Sequence, residues 1–312
     1  MAGLFLTASI DPKNTPQVGR SSINIREKDY FNALSQFSKL GFNIVFCENS
    51  GYQSQKIFQI CKEHNILLLE DACQAIGGTY KGKPLGSIGD AGTFSFDFVK
   101  TITCGEGGVV MTKHADVYTK ADQYSDHGHD HAGKDRGADL HPFVGYNFRI
   151  SELHAAVGLA QIKRLDDFVG IQKKHYTIIR EALAVLPEIT FRAVPEGGVE
   201  SYAFLNFFLP DAETASKVSL AFKANGIDAC WNYFENNWHY IRKWNHLKDL
   251  KSLYPISKEV KEGLKSLQTK TFAQSDHFIG RNISCLMKLS WTEDEVKARA
   301  ATMVKAVQSA LI

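Results

Sequence analysis

Reactive side chains follow two apolar segments that are typical of β-strands. In the segment ILLLEDACQAIGG, residues 66–70 form the predicted strand, and Asp71 and Gln74 come directly after it. In the segment AGTFSFDFVKTITCGEGG, Ser95 and Lys100 precede a glycine-rich turn. Ligands of parallel α/β sheets bind beyond the carboxyl ends of the strands, so these side chains are candidates for one site.

The residue types alone leave structural alternatives open. A lysine amine is a nucleophile only in its neutral form, and most lysines are solvated charges. Asp71 at a strand end is also a typical helix N-cap. Gln74 fits a solvated helix position, and Ser95 fits an ordinary strand position between two phenylalanines.

Strands alternate with helices along the first half of the chain. Predicted strands cover residues 3–9, 42–47 and 66–70, and predicted helices cover 25–39, 53–64, 116–126 and 151–168. This alternation indicates an α/β fold with a mainly parallel sheet. A second set of elements follows, with strands at 202–209 and 228–233 and helices at 212–225 and from Glu293 onward. We therefore expect a βαβ head (1–52), a large-domain portion (53–168) and a smaller C-terminal α/β domain (169–312).

The helix predicted over residues 151–168 has a suitable start in Ser151 and Glu152. Its apolar residues recur at helical spacing, which predicts one continuous amphipathic helix. The residues expected on its apolar face are Leu153, Ala156, Val157, Ala160, Ile162 and Leu165.

Several motifs in the same order resemble the DegT/StrS-type sugar aminotransferases. They are LLLEDACQAIG, GDAGTFSF with a lysine shortly after it, TCGEGGVV and GYNFRISELHAA. The segments EDACQAIGG, TITCGEGG, SDHGHDHAGKDRG and NNWHY are closest to the branch of that family that aminates 8-oxo-Kdo, a lipopolysaccharide sugar. The resemblance covers roughly residues 55–312 and implies a fold type I enzyme dependent on pyridoxal phosphate.

The resemblance also implies a role for individual residues. Lys100 matches the lysine that carries the cofactor, and Asp71 matches the carboxylate that pairs with the pyridine nitrogen. Gln74 matches a position against the ring, and Ser95 a hydroxyl that contacts the phosphate. Asn147 matches a residue that reaches the phosphate of the neighbouring subunit, which implies a homodimer. Some relatives carry histidine in place of Lys100 and act as dehydratases, so lysine favours transamination.

Several positive and polar side chains are candidates for binding the substrate carboxylate, since arginine binds carboxylates bidentately. The resemblance implies a keto sugar as substrate and glutamate as amino donor. The substrate candidates are His127, His129, Lys134, Arg136, Arg149, Asn237 and His239. A structural turn is the alternative for Arg149, and core packing is the alternative for the neighbouring Trp238 and Tyr240.

Alternating histidines at 127, 129 and 131 also suggest a metal site, because neutral imidazole is a common zinc ligand. No cysteine or second histidine cluster is placed to complete a tetrahedral set, so we expect no metal. The six cysteines are scattered without a CxxC pair, which favours reduced thiols over a disulfide framework.

Composition excludes some classes of partner. The net charge is +2, with 36 basic and 34 acidic residues, and it indicates neither nucleic acid nor an anionic membrane as partner. The first residues lack the pattern of a signal peptide, and no segment is apolar enough to span a bilayer. We therefore expect a cytoplasmic protein.

The first fifty or so residues do not match the family, which normally carries a phosphate-binding loop before the EDACQA segment. They faintly resemble the openings of surface-polysaccharide proteins, so the head is expected to have a separate origin. A sugar-transfer module is one hypothesis for it, although so short a segment is too small for a complete domain of that kind. A further alternative is a truncated or fused remnant that folds and dimerises without catalysing a reaction.

Overall fold

The computed structural model describes residues 3–8, 28, 31–32, 34–35, 43–48, 55–236, 238–269 and 271–311. These residues form two compact units. The first contains the described residues up to Lys173 together with Ala193–Ala203. The second contains Lys174–Arg192 and the described residues from Phe204 onward. Within the described ranges, every helix is too short or too polar to cross a membrane.

The first unit contains a main sheet and a small separate sheet. Its strands are β1 (Gly3–Ala8), β2 (Asn43–Glu48), β3 (Leu67–Asp71), β4 (Thr79–Tyr80), β5 (Lys83–Pro84), β6 (Ala91–Ser95), β7 (Gly108–Thr112) and β9 (Gly198–Val199). Its helices are α1 (Gln55–Glu63), α2 (Ala115–Ser125), α3 (Glu152–Ile162) and the start of α4 (Leu165–Leu183). The main sheet has the order β1-β2-β3-β6-β7, and β4, β5 and β9 form a small separate sheet.

The main sheet is parallel except for β7, which runs antiparallel to β6. This confirms the predicted mainly parallel α/β sheet. Asp71 at the end of β3 is paired with Thr93, so the ends of β3 and β6 lie side by side. Of the predicted head, β1 and β2 pair in parallel. The helix predicted over residues 25–39 lies largely outside the described residues, although Leu34 is helical and fully buried.

Glu70 fastens the glycine-rich turn between β5 and β6 to the end of β3. One carboxylate oxygen accepts the N–H groups of Ile88 and Gly89, both at 2.6 Å, and the other accepts that of Gly86 at 2.8 Å. Gly86 has φ +87°, and a Cβ there would come within 2.4 Å of the Phe94 ring. The turn therefore requires both the glycine and the carboxylate.

We expect Glu70→Ala to lower the free energy of unfolding by about 3 kcal/mol, because three backbone donors lose their acceptor. Urea unfolding followed by circular dichroism measures the change. Glu63→Ala is the control, since Glu63 is exposed and its carboxylate accepts a hydrogen bond from the Gln59 side chain. It should change stability by less than about 0.5 kcal/mol. Equal effects of the two variants would contradict the fastening role.

The continuous helix predicted over 151–168 is wrong in two respects. The structure divides it into α3 and α4, because the N–H groups of both Lys163 and Arg164 bond to the carbonyl of Gln161 and so tighten the last turn. Asp166 and Asp167 then provide the acidic first turn of a new helix. No described residue of α3 is buried, so its apolar side chains face outward on the single chain.

The second unit contains an antiparallel sheet in the order β11-β12-β10-β8. Its strands are β8 (Thr190–Phe191), β10 (Phe204–Phe208), β11 (Cys230–Trp231) and β12 (Asn282–Leu286). Its helices are the end of α4, α5 (Ala212–Ala224), α6 (Asn245–Lys248), α7 (Lys258–Thr269), α8 (Ala273–Arg281) and α9 (Glu293–Ala310), with a short 3₁₀ helix at Ile241–Lys243. Phe207 and Phe222 are at its core, and a capping box between Thr292 and Glu295 begins α9.

The prediction of reduced thiols is wrong for one pair. Cys230 and Cys285 are disulfide-bonded. They are direct partners in the register of β11 and β12, with Cα atoms 4.1 Å apart. The two cysteines are 55 residues apart in sequence, so no local motif indicates the pairing. Cys61, Cys73 and Cys104 are free thiols.

Candidate active site

Asp71 lies at the carboxyl end of β3 and begins a turn. Its Oδ1 accepts the N–H of Cys73 at 3.2 Å, and the N–H of Ala72 bonds to the Thr93 carbonyl at 3.0 Å. The segment that follows is a series of turns, so Asp71 caps a turn where the sequence alternative expected a helix. Its side chain is exposed to solvent at the carboxyl end of β3.

Lys100 lies in a tight loop that follows β6. Asp97 shapes this loop, because its Oδ1 accepts the N–H of Val99 at 2.9 Å and its carbonyl accepts the N–H of Lys100 at 3.1 Å. The Lys100 side chain is only 13% exposed, and its Nζ lies 3.8 Å from Asp97 Oδ2. Ser95 ends β6 and is partly buried, with its Oγ 3.5 Å from the N–H of Asp97.

Buried residues hold this loop in place after Lys100. Thr101 is buried and donates its hydroxyl to Gln172 Oε1 at 3.1 Å. Ile102 and Cys104 are also buried, and the Cys104 N–H bonds to the Phe96 carbonyl at 3.0 Å. The position of Lys100 is therefore set by packed neighbours rather than by a solvated loop.

Asp71 and Lys100 act on the same thiol, that of Cys73. The pKa of Cys73 is raised, first by burial and then by a hydrogen bond with Asp71. A hydrogen bond with Thr93 and the positive charge of Lys100 act in the opposite direction. An amine, a carboxylate and a hydroxyl thus lie at the ends of two adjacent parallel strands. This donor set fits pyridoxal phosphate, which needs an amine for its aldehyde and an acceptor for its ring nitrogen.

Gln74 is near this site in the chain, but its side chain is exposed. The structure assigns its backbone carbonyl a separate contact, as acceptor of the Ser201 hydroxyl at 3.4 Å. The predicted contact of Gln74 with the cofactor ring stays a prediction.

Residues 127–141, here called the histidine loop, are held by contacts among their own charged groups and with two carboxylates that precede the loop. His129 Nδ1 lies 3.3 Å from Asp139 Oδ2 and 3.2 Å from His141 Nε2. His131 lies between two carboxylates, with Asp122 at 2.8 Å and Asp126 at 3.1 Å. His127 and Lys134 are exposed. Among the residues that the structure describes, no group of three or more histidine, cysteine or acidic side chains is placed to hold a metal ion.

Asp126 is a charged residue that the sequence prediction missed. Its carboxylate is 9% exposed and binds Arg136 at 2.6 Å, His131 and, in a short contact, Arg149. Burial on its own raises the pKa of Asp126, but the hydrogen bonds from Arg136, His131 and Arg149 outweigh it and hold the pKa well below its usual value. Both arginines among the predicted substrate residues, Arg136 and Arg149, are therefore paired with this carboxylate.

We expect His131 to titrate above the usual histidine pKa of about 6.5. Hydrogen bonds first with Asp122 and then with Asp126 raise its pKa. A raised folded pKa means that these ion pairs stabilise the loop fully below about pH 6.5 and are lost as the pH rises through the folded pKa. An NMR titration of the His131 ring measures the midpoint. Asp122→Asn should lower the midpoint, and an unchanged midpoint would contradict the pairing.

The remaining predicted residues lie in different places. Asn147 is exposed, pairs with Asp126 in an isolated β-bridge, and accepts the Arg149 N–H at 3.4 Å. Asn237 lies outside the described residues. His239 belongs to the second unit, where its ring stacks on Trp238 with centroids 4.8 Å apart. Tyr240 is buried and bonds to Asp276, which fits its core-packing alternative.

The sequence matches the DegT/DnrJ/EryC1/StrS aminotransferase family over residues 49–278. The chain belongs to this family. The family resemblance predicted from the motifs is thereby confirmed, and so is its extension over most of the chain.

Individual members of the DegT/DnrJ/EryC1/StrS family show different degrees of similarity. The chain is 39% identical over 118 residues to the GDP-perosamine synthase of Caulobacter vibrioides, which is 38% of this chain and 31% of that protein. It is 32% identical over 203 residues to the GDP-perosamine synthase of Vibrio cholerae, which is 65% of this chain and 54% of that protein. The chain thus spans between a third and about half of the length of these relatives.

A solved structure shows the same fold. It is the PLP form of Spr1654 from Streptococcus pneumoniae, a proposed sugar aminotransferase. The TM-score is 0.69 at 18% identity, over 99% of this chain and 82% of that one. The predicted fold type I architecture is confirmed, and the family supports pyridoxal phosphate as its cofactor.

Proposed function

We propose that the chain is a pyridoxal-phosphate-dependent aminotransferase that transfers an amino group to a keto sugar. The observation that carries the proposal is the position of Lys100 in a family of aminotransferases. Its side chain is mostly buried, and its charge acts on the same thiol as that of Asp71. A solvated surface lysine would have neither property.

The site residues have distinct proposed tasks. Lys100 would hold the cofactor through its Nζ and, once free, would take a proton from one carbon and return it to another. Asp71 would accept a hydrogen bond from the ring nitrogen and keep it protonated. Ser95 and the partner's copy of Asn147 would bind the phosphate, with Gln74 against the ring. When bound, pyridoxal phosphate supplies an aldehyde and a ring that accepts electron density.

We propose 8-oxo-Kdo as the substrate and glutamate as the amino donor. The support is the set of motifs shared with that branch of the family, and the positive side chains in and beside the histidine loop. His127, His129, Lys134, Arg136 and Arg149 are the residues proposed to contact the substrate carboxylate, and Asn237 and His239 stay further candidates for the sugar. The names of the two relatives suggest a GDP-linked keto sugar as the other candidate. The proposal includes the cytoplasmic location expected from the sequence.

Mass spectrometry of the products distinguishes these substrates. The full chain is incubated with pyridoxal phosphate, glutamate and either 8-oxo-Kdo or a GDP-linked keto sugar. Formation of 8-amino-Kdo would support the full proposal. Amination of the GDP-linked sugar alone would retain the aminotransferase and refute the substrate. Conversion of neither sugar, with the cofactor bound, would refute transamination of both candidate sugars.

We propose that the chain forms a homodimer through α3 and the segment before it. This surface is apolar and exposed on the single chain, with Leu153 81%, Phe148 66% and Leu159 62% exposed. An apolar patch of this kind is typical of an interface between subunits. Asn147, which the resemblance places against a neighbour's cofactor, lies directly beside it.

We expect Leu153→Glu to convert the dimer into a monomer, because a charge at the centre of an apolar interface cannot be desolvated cheaply. Light scattering after size-exclusion chromatography measures the mass. Val185→Glu is the control, since Val185 is also highly exposed but lies at the end of α4. A monomeric wild-type protein, or a variant that stays dimeric, would contradict this interface.

The remnant hypothesis remains the main alternative, since the chain matches only part of its relatives. It predicts a folded, dimeric chain without affinity for pyridoxal phosphate. Calorimetric titration with the cofactor distinguishes the two hypotheses. Saturable binding supports the enzyme, and its absence supports the remnant.

A further inference from the structure

Asp126 joins two segments that the proposed function places around the substrate. It follows the last residue of α2, and its side chain is almost entirely buried. Arg136 reaches it from the histidine loop, and Arg149 reaches it from the segment that leads into α3. A third contact comes from His131, also in the histidine loop. One carboxylate therefore receives hydrogen bonds from both segments.

Backbone hydrogen bonds at the same point connect the same segments. The His127 N–H bonds to the Tyr146 carbonyl at 2.9 Å, and the Tyr146 N–H bonds to the Tyr124 carbonyl at 2.8 Å. The Phe148 N–H bonds to the Ser125 carbonyl at 2.8 Å. These bonds form a short ladder on both sides of Asp126, in which Asp126 and Asn147 are the bridge partners.

The charges of these side chains favour the arrangement in which both arginines contact Asp126. Two guanidinium groups so close together repel each other unless an anion lies between them. Asp126 is the carboxylate that contacts both, and a buried carboxylate is stable only when it is paired and hydrogen-bonded. Other charged groups near the cluster are Asp122, which shares His131, and Asp130, whose carboxylate accepts the Leu140 N–H at 3.1 Å. Neither of them contacts an arginine in the structure described.

We propose that Asp126 is a positioning residue, whose carboxylate fixes the histidine loop against the Asn147–Arg149 segment and so sets the geometry of the sugar-binding groups. The ordering role follows from the contacts of Asp126 alone and is independent of the proposed function. Its effect on the sugar rests on the proposed function. Asp126 itself need not touch the substrate, because its side chain is 9% exposed whereas those of Arg136 and Arg149 are 55% and 40% exposed.

Asp126→Asn tests the proposal in the full chain, because the amide keeps the shape of the side chain and removes its charge. Hydrogen–deuterium exchange at the amides of His127 and Phe148 should accelerate by about tenfold or more, the effect of losing one charge-assisted hydrogen bond. In the active enzyme, KM for the sugar should rise by about tenfold while kcat changes less than about threefold. Asp126→Glu, which keeps the charge, should restore part of the loss.

Two further variants serve as comparisons. Asp122→Asn removes a carboxylate that binds His131 and contacts neither arginine among the described residues, so exchange at Phe148 should stay as in the wild type. Arg136→Gln, at a half-exposed position, should accelerate exchange in the histidine loop alone. It provides the test if Asp126→Asn does not fold.

The exchange and activity measurements distinguish a failure of the ordering role from a failure of the proposed function. Unchanged exchange at His127 and Phe148 in Asp126→Asn would overturn the ordering role, whatever the activity. Faster exchange with unchanged KM in an active enzyme would overturn the effect on the sugar. A wild-type chain that aminates no sugar would refute the proposed function, and the exchange measurement would still decide the ordering role.

Discussion

Lys100→Ala is expected to abolish both sugar transamination and the visible absorption band that pyridoxal phosphate gives with the wild-type chain. The variant loses the only amine that the loop after β6 places at the ends of β3 and β6 in the part of the chain described. Proton transfer by a positioned group contributes about 10²–10⁴-fold to rate, so kcat should fall by at least about a hundredfold. Stability should change little, because the ion pair of the Lys100 side chain with Asp97 is long, at 3.8 Å.

Absorbance titration with pyridoxal phosphate and a coupled assay for glutamate consumption measure the two effects. Lys120→Ala is the matched control, since Lys120 is 71% exposed and forms only an i,i+4 ion pair with Asp116. That variant should keep the band and the rate. A Lys100→Ala protein that retains the band would show that a different amine holds the cofactor.

Asp71→Asn should lower kcat strongly while leaving the cofactor attached at Lys100. The amide preserves the shape of the side chain, and its oxygen can still accept the Cys73 N–H that Asp71 accepts. It removes the negative charge that would keep the ring nitrogen protonated. Hydrogen bonds to charged groups contribute about 1.5–3 kcal/mol, which corresponds to a loss of roughly 10–100-fold in kcat.

Steady-state kinetics with saturating cofactor measures this loss, and the absorption band reports that the cofactor remains bound. Asp116→Asn is the control, because Asp116 is an exposed carboxylate in the first turn of α2. It should leave kcat unchanged within a factor of about two. Full activity in Asp71→Asn would mean that another group faces the ring nitrogen.

The elements that carry Asp71 and Lys100 could be predicted because their signals are local. A short apolar run such as residues 66–69 is consistent with a strand, and alternation with helices implies parallel pairing. The carboxyl ends of β3 and β6 then lie side by side, which brings Asp71 and the loop that carries Lys100 to the same end of the sheet. The identity of the chemistry depended on the ordered motifs, since a single lysine indicates nothing.

The features that escaped prediction depend on contacts between distant residues. Asp126 looks like any polar loop residue until the fold brings Arg136 and Arg149 to it. Cys230 and Cys285 become partners only through the register of β11 and β12. No proline or glycine marks the break between α3 and α4. The apolar face of α3 was predicted to pack in a core, but no described residue of α3 is buried on the single chain.

The most direct test of the central claim is to find the covalent attachment site. The full chain is incubated with pyridoxal phosphate, reduced with borohydride and digested, and the peptides are analysed by mass spectrometry. We expect a pyridoxyl group on Lys100, stoichiometric with the chain and absent from Lys100→Ala. Modification spread over exposed lysines such as Lys120, with Lys100 unmodified, would contradict the account.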